Sequence, residues 1–418
     1  MIKRPDPTEI RPEARLLDRV RREGPVLSLP GGVVGVFSPA LATKVDKANT
    51  EELKMAESLV DYFKLRKNSN PVAWREIRAL LTEQSGKLAT PEHMKALYGR
   101  MRDFLHAQAG QEQDLTKLVW RAVSRALIPL VLDDLDGDGV RKVVGEQEMR
   151  FRIQQEQKLS FRQRVSDFLL MRAATRAVTR CLQHRIRGKD PHDDFAQALL
   201  TLVERIGVDR VTYLVTVQFI AISGVPGTMA ACLLYGMARY PEWRERIRSE
   251  MAELDEDELY SLPVRKLPCT LRFIKEAMRL WTTPFVTRRV AALDIELDEV
   301  AVKKGETYEL SSYIQHHSEQ YWDNPEVFDP DRWLASRKPE AKGAYVPFGF
   351  APRSCVGASV GHAQLILFCA LATRDFNFEV STGHEPWMRM DGFAVPNDLL
   401  GTVSVREPAS RAAEARSA

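Results

Sequence analysis

Apolar residues recur at three- and four-residue spacing through most of the chain up to about residue 285, the period of helices with one buried face. The pattern predicts helices over 94–109, 115–132, 161–186 and 193–206. Three patches break that period. Residues 26–37 are valine-rich and punctuated by glycine, and read as a small hairpin. Residues 286–312 read as strands around a turn at Lys304-Gly305, and 376–405 form a third β-like patch. From 318 to 342 neither period holds. Pro325, Pro330 and Pro339 are interspersed with Asp323, Asn324, Asp329 and Asp331, giving a long irregular coil of the kind compact proteins usually keep for function. Residues 406–418 are mostly Ala, Arg, Glu and Ser and read as a disordered tail. There is no internal repeat and no abrupt change in composition. The expectation is one mainly α domain over 1–405, with a smaller β portion.

Composition narrows the function classes. The 418 residues are 44% hydrophobic, enough for a large core, and 60 basic against 57 acidic residues leave a net charge of +3. Nucleic-acid binders usually carry a strong basic excess, so the global balance gives no support for that partner. The first residues are polar, and the longest apolar tract, 213–237, is interrupted by Gly224, Pro226, Gly227 and Gly236. That tract reads as a buried core helix, and the expectation is a cytoplasmic protein without a membrane anchor. Five scattered cysteines without a CxxC pair argue against a disulfide framework or a structural zinc site.

One cysteine stands apart. Cys355 lies in Phe348-Gly349-Phe350-Ala351-Pro352-Arg353-Ser354-Cys355-Val356-Gly357, with a helix-like run after it. A lone cysteine is ordinarily a small buried hydrophobe. Here a nearby arginine and a helix start favour thiolate, and Gly349 and Gly357 permit close approach of a flat ligand. Upstream, Glu276 and Arg279 are three apart on a helix, close enough to touch, as a surface ion pair or as part of something buried.

These segments resemble the cytochrome P450 family, and the likeness spans roughly residues 20–405. The Cys355 loop matches the family's ligand loop at every position except Ala351, where glycine is usual; Gly361 and Gln364 are minor departures downstream. The resemblance implies that Cys355 binds the iron of haem b as a thiolate, with Phe348 and Gly357 beside it. Lys275-Glu276-Ala277-Met278-Arg279 is similar to the family's Glu-x-x-Arg signature, and Cys355 follows Glu276 by 79 residues. Arg332, in Phe328-Asp329-Pro330-Asp331-Arg332-Trp333, would complete a buried structural network with that pair. Trp74, Arg78, Arg289 and Arg353 stand where the family contacts the haem propionates. The implied fold is the cytochrome P450 fold. The implied activity is a monooxygenase or oxidase of secondary metabolism, acting on a small organic molecule with electrons from ferredoxin- or flavodoxin-type proteins. A family relative without catalysis, serving as a protein partner, is the remaining alternative.

The central helix departs from the family, which carries an acid followed by Thr beside the oxygen site as a proton relay. This chain reads Ser223-Gly224-Val225-Pro226-Gly227-Thr228. Aligning Gly224 with the family glycine puts Pro226 and Gly227 at the acid and alcohol positions; counting back from Tyr240-Pro241 puts Gly224 and Val225 there. Neither register supplies the pair. Pro226 removes a helix N–H and frees the carbonyl of Ile222, so a kink is expected. Either packing alone distorts the helix while ordered water delivers protons, or the usual relay is replaced. A replacement could be a substrate group, peroxide in place of dioxygen, or a rearrangement or coupling with lower proton demand. Ser223 and Thr228 are the nearby hydroxyls. The family's substrate surfaces fall on the loop before Trp74, on 220–224, 282–286 and around Leu399 and Leu400, mostly apolar here apart from Thr282 and Thr283.

Overall fold

The computed structural model describes residues 4, 11–55, 72, 74–155, 160–188, 191–337 and 343–406. Of the tail expected over 406–418, Arg406 is buried and its backbone N–H donates to Asp375 O at 2.8 Å, so it belongs to the fold; residues 407–418, 338–342 of the irregular coil, and 56–71 and 73 before Trp74 lie outside the described residues. Many helices begin where the sequence supplies a cap or a proline. Among the described residues they are α1 Pro12–Glu23, α2 Pro39–Ala48, α3 Trp74–Lys87, α4 Pro91–His106, α5 Leu115–Val131, α6 Gly137–Gln155, α7 Phe161–Gly188, α8 Phe195–Leu200 and α9 Val203–Ile206. They continue as α10 Val208–Ser223, α11 Val225–Arg239, α12 Pro241–Ala252, α13 Glu256–Tyr260, α14 Pro268–Leu280, α15 Ser312–His317 and α16 Ala358–Ala370. Ser38, Thr90 and Asp114 cap α2, α4 and α5 by accepting from a backbone N–H three residues on.

The helix expected over 193–206 is two helices. Asp194 caps α8 by accepting from Gln197 N at 2.8 Å, and Asp193 instead accepts from the Gln84 amide. Thr201 then donates its hydroxyl to the Ala198 carbonyl at the break before α9, the competition with helix bonding expected of such side chains. The apolar central tract is also divided, at Gly224 (φ −126°, ψ −73°), with Pro226 in the first turn of α11. The kink expected at Pro226 is therefore a break just before it. Together α10 and α11 are long and apolar enough to cross a membrane, yet two thirds of the most apolar window is buried in this fold.

Strands β1 Val26–Leu29 and β2 Val33–Val36 form the expected hairpin. β2 runs parallel to β8 Thr307–Ser311, which pairs antiparallel with β5 Val286–Ala291, and β3 Leu53–Met55 closes the edge in the order β1-β2-β8-β5-β3. The 376–405 patch supplies strands of two further small sheets, one of them edged by β4 Gln113–Asp114, and β6 Ile295–Leu297 pairs with β7 Val300–Val302. Two apolar cores result. The larger fills the space among the helices, and the smaller, built on Val36, Val45, Leu53, Val302 and Tyr308, lies under the five-stranded sheet.

A cavity at the seam of the two cores

A cavity of about 430 Å³ opens where the two cores meet, walled by Met229 and Val360 of the larger and by Tyr308, Val346 and Phe350 of the smaller. One side is the cysteine loop with the start of α16. Phe348, Gly349, Arg353, Cys355 and Gly357 all line it. The Cys355 backbone N–H donates to the Phe348 carbonyl at 2.7 Å, and Gly349 N–H donates to Val346 O at 2.9 Å, folding the loop into consecutive turns. Gly349 holds φ +81°, a left-handed conformation that strains any residue with a Cβ. Ala351 is exposed and is not among the left-handed residues, so its methyl group fits without strain. Cys355 faces the cavity. Burial pushes its thiol pKa up, opposed by a hydrogen bond from the Gly357 backbone and by the charge of Arg78. In the cofactor-free chain desolvation thus opposes the thiolate that the arginine and the helix start favour; a metal ion at the sulfur would favour it, because a coordinated thiol loses its proton.

The polar end of the cavity lies between this loop and the sheet. Arg289 from β5 and Arg353 line it with Asp46 from α2 and Tyr308 from β8. Four of their polar atoms, Arg289 Nε, Arg353 Nε, Asp46 Oδ1 and Tyr308 Oη, are buried without a hydrogen-bond partner. Buried groups of this kind are normally satisfied, so four together mark a place built for a polar ligand. Arg353 donates to the Thr50 carbonyl and Arg289 to that of Arg288. Burial and then the charge of Arg353 hold the Arg289 pKa below its ordinary value. A haem would fit this donor set: a thiol for the iron, guanidinium groups for two carboxylates and apolar walls for the ring. Arg78 lies outside the wall, though near enough for Cys355 to act on its charge. Trp74 is not brought to the cavity. It opens α3 with its indole 38% exposed.

Beneath the loop the structure joins Glu276, Arg279 and Arg332. Arg279 donates to both Glu276 oxygens at 3.0 and 2.8 Å, and Arg332 Nε donates to Oε1 at 3.0 Å. Glu276 and Arg279 are 0% exposed. The remaining donors go to carbonyls of the irregular coil and of the helix before it, Arg279 to Pro325 and Val327 of the coil and to His316 of α15, and Arg332 to Asp323, Asn324 and Val327. Trp333 Nε1 and the Asp329 backbone also donate to Glu276, and sequence reasoning missed both.

The opposite wall is the central helix pair with α5 and α8. Gln218, Ala221, Ile222, Val225, Pro226 and Met229 face the cavity, beside Leu127, Leu130, Val131 and Phe195. Of the five segment residues singled out in the sequence, only Val225 and Pro226 reach it. Gly224 forms the break. Gly227 turns to α5, where a Cβ would stand 2.9 Å from Trp120 Cα and O. Thr228 is buried off the wall, and Ser223 donates its hydroxyl to the Ile220 carbonyl at 2.8 Å. Asp46, Tyr308 and Gln218 are wall residues that sequence reasoning did not find, and the buried Gln364, noted there only as a departure from the family pattern, also lines the cavity.

The family model described as Cytochrome P450 matches residues 149–401. Cytochrome P450 4F3 of Mus musculus is 33% identical over 150 residues, covering 34% of this chain and 29% of that protein. Thromboxane-A synthase of Mus musculus is 32% identical over 154 residues, 36% of this chain and again 29% of the relative, so these matches span under a third of each relative's length. A solved zebra fish cytochrome P450 with progesterone superposes with a TM-score of 0.78 at 20% identity, covering 95% of this chain and all of that one. A cytochrome P450DA heme domain gives a TM-score of 0.70 at 17% identity over 95% of this chain and 94% of that one. With the cysteine loop, the Glu276–Arg279–Arg332 network and the seam cavity in one fold, the chain belongs to the cytochrome P450 family.

Proposed function

We propose that this protein is a haem-thiolate monooxygenase or oxidase that holds haem b in the seam cavity through Cys355 and oxidises a small, mainly apolar organic molecule. The observation that carries the reading is one cavity presenting Cys355 together with Arg289 and Arg353, opposite an apolar wall. Bound haem supplies iron whose thiolate ligand favours O–O cleavage. The chain's own residues bind and shield. The turns at Gly349 and Phe348 aim the sulfur, Arg289 and Arg353 offer donors to the cofactor carboxylates, and Leu127, Leu130, Val131, Phe195 and Ile222 shed water around an apolar substrate. Gln218, Thr283, Thr287 and Ser312 are among the polar side chains lining the cavity that could orient it. Electrons would come from separate ferredoxin- or flavodoxin-type proteins at a cytoplasmic location, with the largely buried central tract serving as core rather than as a membrane span.

A second reading is favoured by the oxygen side. The cavity-facing positions of α10 and α11 carry an amide at Gln218 and otherwise only apolar side chains, with no acid and no hydroxyl. That wall suits protons delivered by a substrate group, peroxide in place of reductase and dioxygen, or a rearrangement or coupling. Two measurements separate the cases. The reduced, haem-loaded protein should show the red-shifted carbon-monoxide band of a thiolate ligand and lose it in Cys355→Ser; a loaded wild type without that band overturns the haem-thiolate reading. Turnover driven by reductase and dioxygen against turnover driven by peroxide then decides the oxidant.

A further inference from the structure

The polar end of the cavity contains one group that a simple carboxylate-binding site would not need. Asp46, on α2, is 2% exposed, lines the same wall as Arg289 and Arg353, and leaves Oδ1 without a partner. A site for two anionic carboxylates gains from guanidinium groups and is weakened by a third carboxylate among them. The charged and titratable groups acting there come from every neighbouring element. Arg353 and Arg289 attract the Asp46 charge, and Tyr308 from β8 feels it. Glu51, Glu52 and Arg78 act in turn on Arg353. Thr50 donates its hydroxyl to the Asp46 backbone carbonyl at 2.8 Å, which leaves the side chain to the cavity.

We propose that Asp46 is a positioning residue of the cofactor cradle, its carboxyl protonated and donating a hydrogen bond to a cofactor carboxylate when haem is bound. The reading rests on haem occupying this cavity. Three carboxylates beside two guanidinium groups cannot all stay ionised at low cost in a wall this dry, so one takes a proton. Asp46 is the natural holder, because burial already pushes its pKa up to about 6, with Arg353 and Arg289 pulling against that shift. No bond is made or broken to carbon; one proton moves between the carboxyl and solvent. Reducing the iron adds a negative charge to the same cavity and makes this proton bind more tightly, so reduction takes up protons.

The test is the reduction potential of the haem-loaded protein measured from pH 5.5 to 8.5. In the wild type the potential should fall as pH rises. Asp46→Asn, which keeps the shape and a donor, should load haem, retain the thiolate carbon-monoxide band and give a flattened profile. Asp46→Glu should restore a slope with a displaced midpoint. A flat wild-type profile overturns the proposal without any variant, and so does an Asp46→Asn profile as steep as the wild type, since the proton then belongs elsewhere. Loss of the thiolate band in the wild type would be failure of the haem reading itself, and the spectrum separates the two.

Discussion

Burial raises the Asp46 carboxyl from an ordinary 3.8 to about 6, against the pull of Arg353 and Arg289. Between those values the folded chain binds a proton that the unfolded chain has lost, so this group's contribution to stability falls as pH rises from 3.8 through 6 and stays low above that. Asp46→Asn removes the ionised form. It should therefore stabilise the cofactor-free protein by about 2–3 kcal/mol at pH 7.5, since each pKa unit corresponds to about 1.4 kcal/mol, and the gain should shrink as pH drops below 6. Denaturant melts at pH 7.5 and pH 4.5 check this, and an equal shift at both would rule it out. At Gly349 the backbone decides: with φ at +81°, Gly349→Ala should cost about 1–2 kcal/mol and weaken the thiolate band, because that turn aims Cys355. Gly349, Arg353 and Cys355 were legible in the sequence because their relation is local, ten residues folded on themselves. Asp46 and Tyr308 were not. They meet only because β2 and β8 pair in parallel, which places α2 beside a strand from the far end of the chain.

The irregular coil and α14 depend on each other through Glu276. Its two oxygens accept from Arg279, Arg332, Trp333 and the Asp329 backbone, all in a dry setting. Glu276→Ala leaves two guanidinium groups without their counter-charge and should cost about 3–5 kcal/mol, seen as a lower melting temperature in cofactor-free and loaded protein alike. The sequence made the trio legible as a motif, but not the five carbonyl contacts that fix the coil. The central helix is the reverse case. Its missing acid and alcohol were evident in the sequence, while the facing of each residue needed the break at Gly224. Val225 points into the cavity, which agrees with the register that gives Val225 the alcohol's place; Gly227 points at Trp120. Gly227→Thr should destabilise by about 1–3 kcal/mol through overpacking and leave the balance of dioxygen and peroxide turnover unchanged. Val225→Thr should fold normally and shift turnover toward reductase and dioxygen. A Gly227→Thr protein as stable as the wild type would refute the close packing on Trp120.

The apolar roof of the cavity is held by charge. Leu130 and Val131 end α5 and Phe195 begins α8, and each lies within a few residues of Asp133, Asp134 or Asp194. Arg185, near the end of α7 and almost fully buried, donates to Asp133 at 2.7 Å, to Asp134 at 2.5 Å and to Asp194 at 3.0 and 2.6 Å. Asp133, Asp134 and His192 are close enough together to hold a cation, and this guanidinium already provides one. No sequence period could reveal the clasp, because it gathers three segments whose charges look like ordinary solvated loop residues. Burial raises the Asp134 pKa, but hydrogen bonds from Arg185 and Cys181 outweigh it and hold the carboxyl below its usual range. The stability it adds is therefore complete above about pH 4 and is lost as pH falls through the depressed value. Arg185→Gln leaves neighbouring carboxylates repelling one another, and should cost about 3–5 kcal/mol at pH 7.5. Acidification toward pH 5 should relieve part of that repulsion and shrink the penalty. The thiolate band should persist, because Cys355 and its turns belong to another part of the fold, while spin-state titrations with apolar ligands should show weaker binding as the roof loosens. A penalty unchanged between pH 7.5 and pH 5 would mean that packing, not charge, holds α7 to the roof.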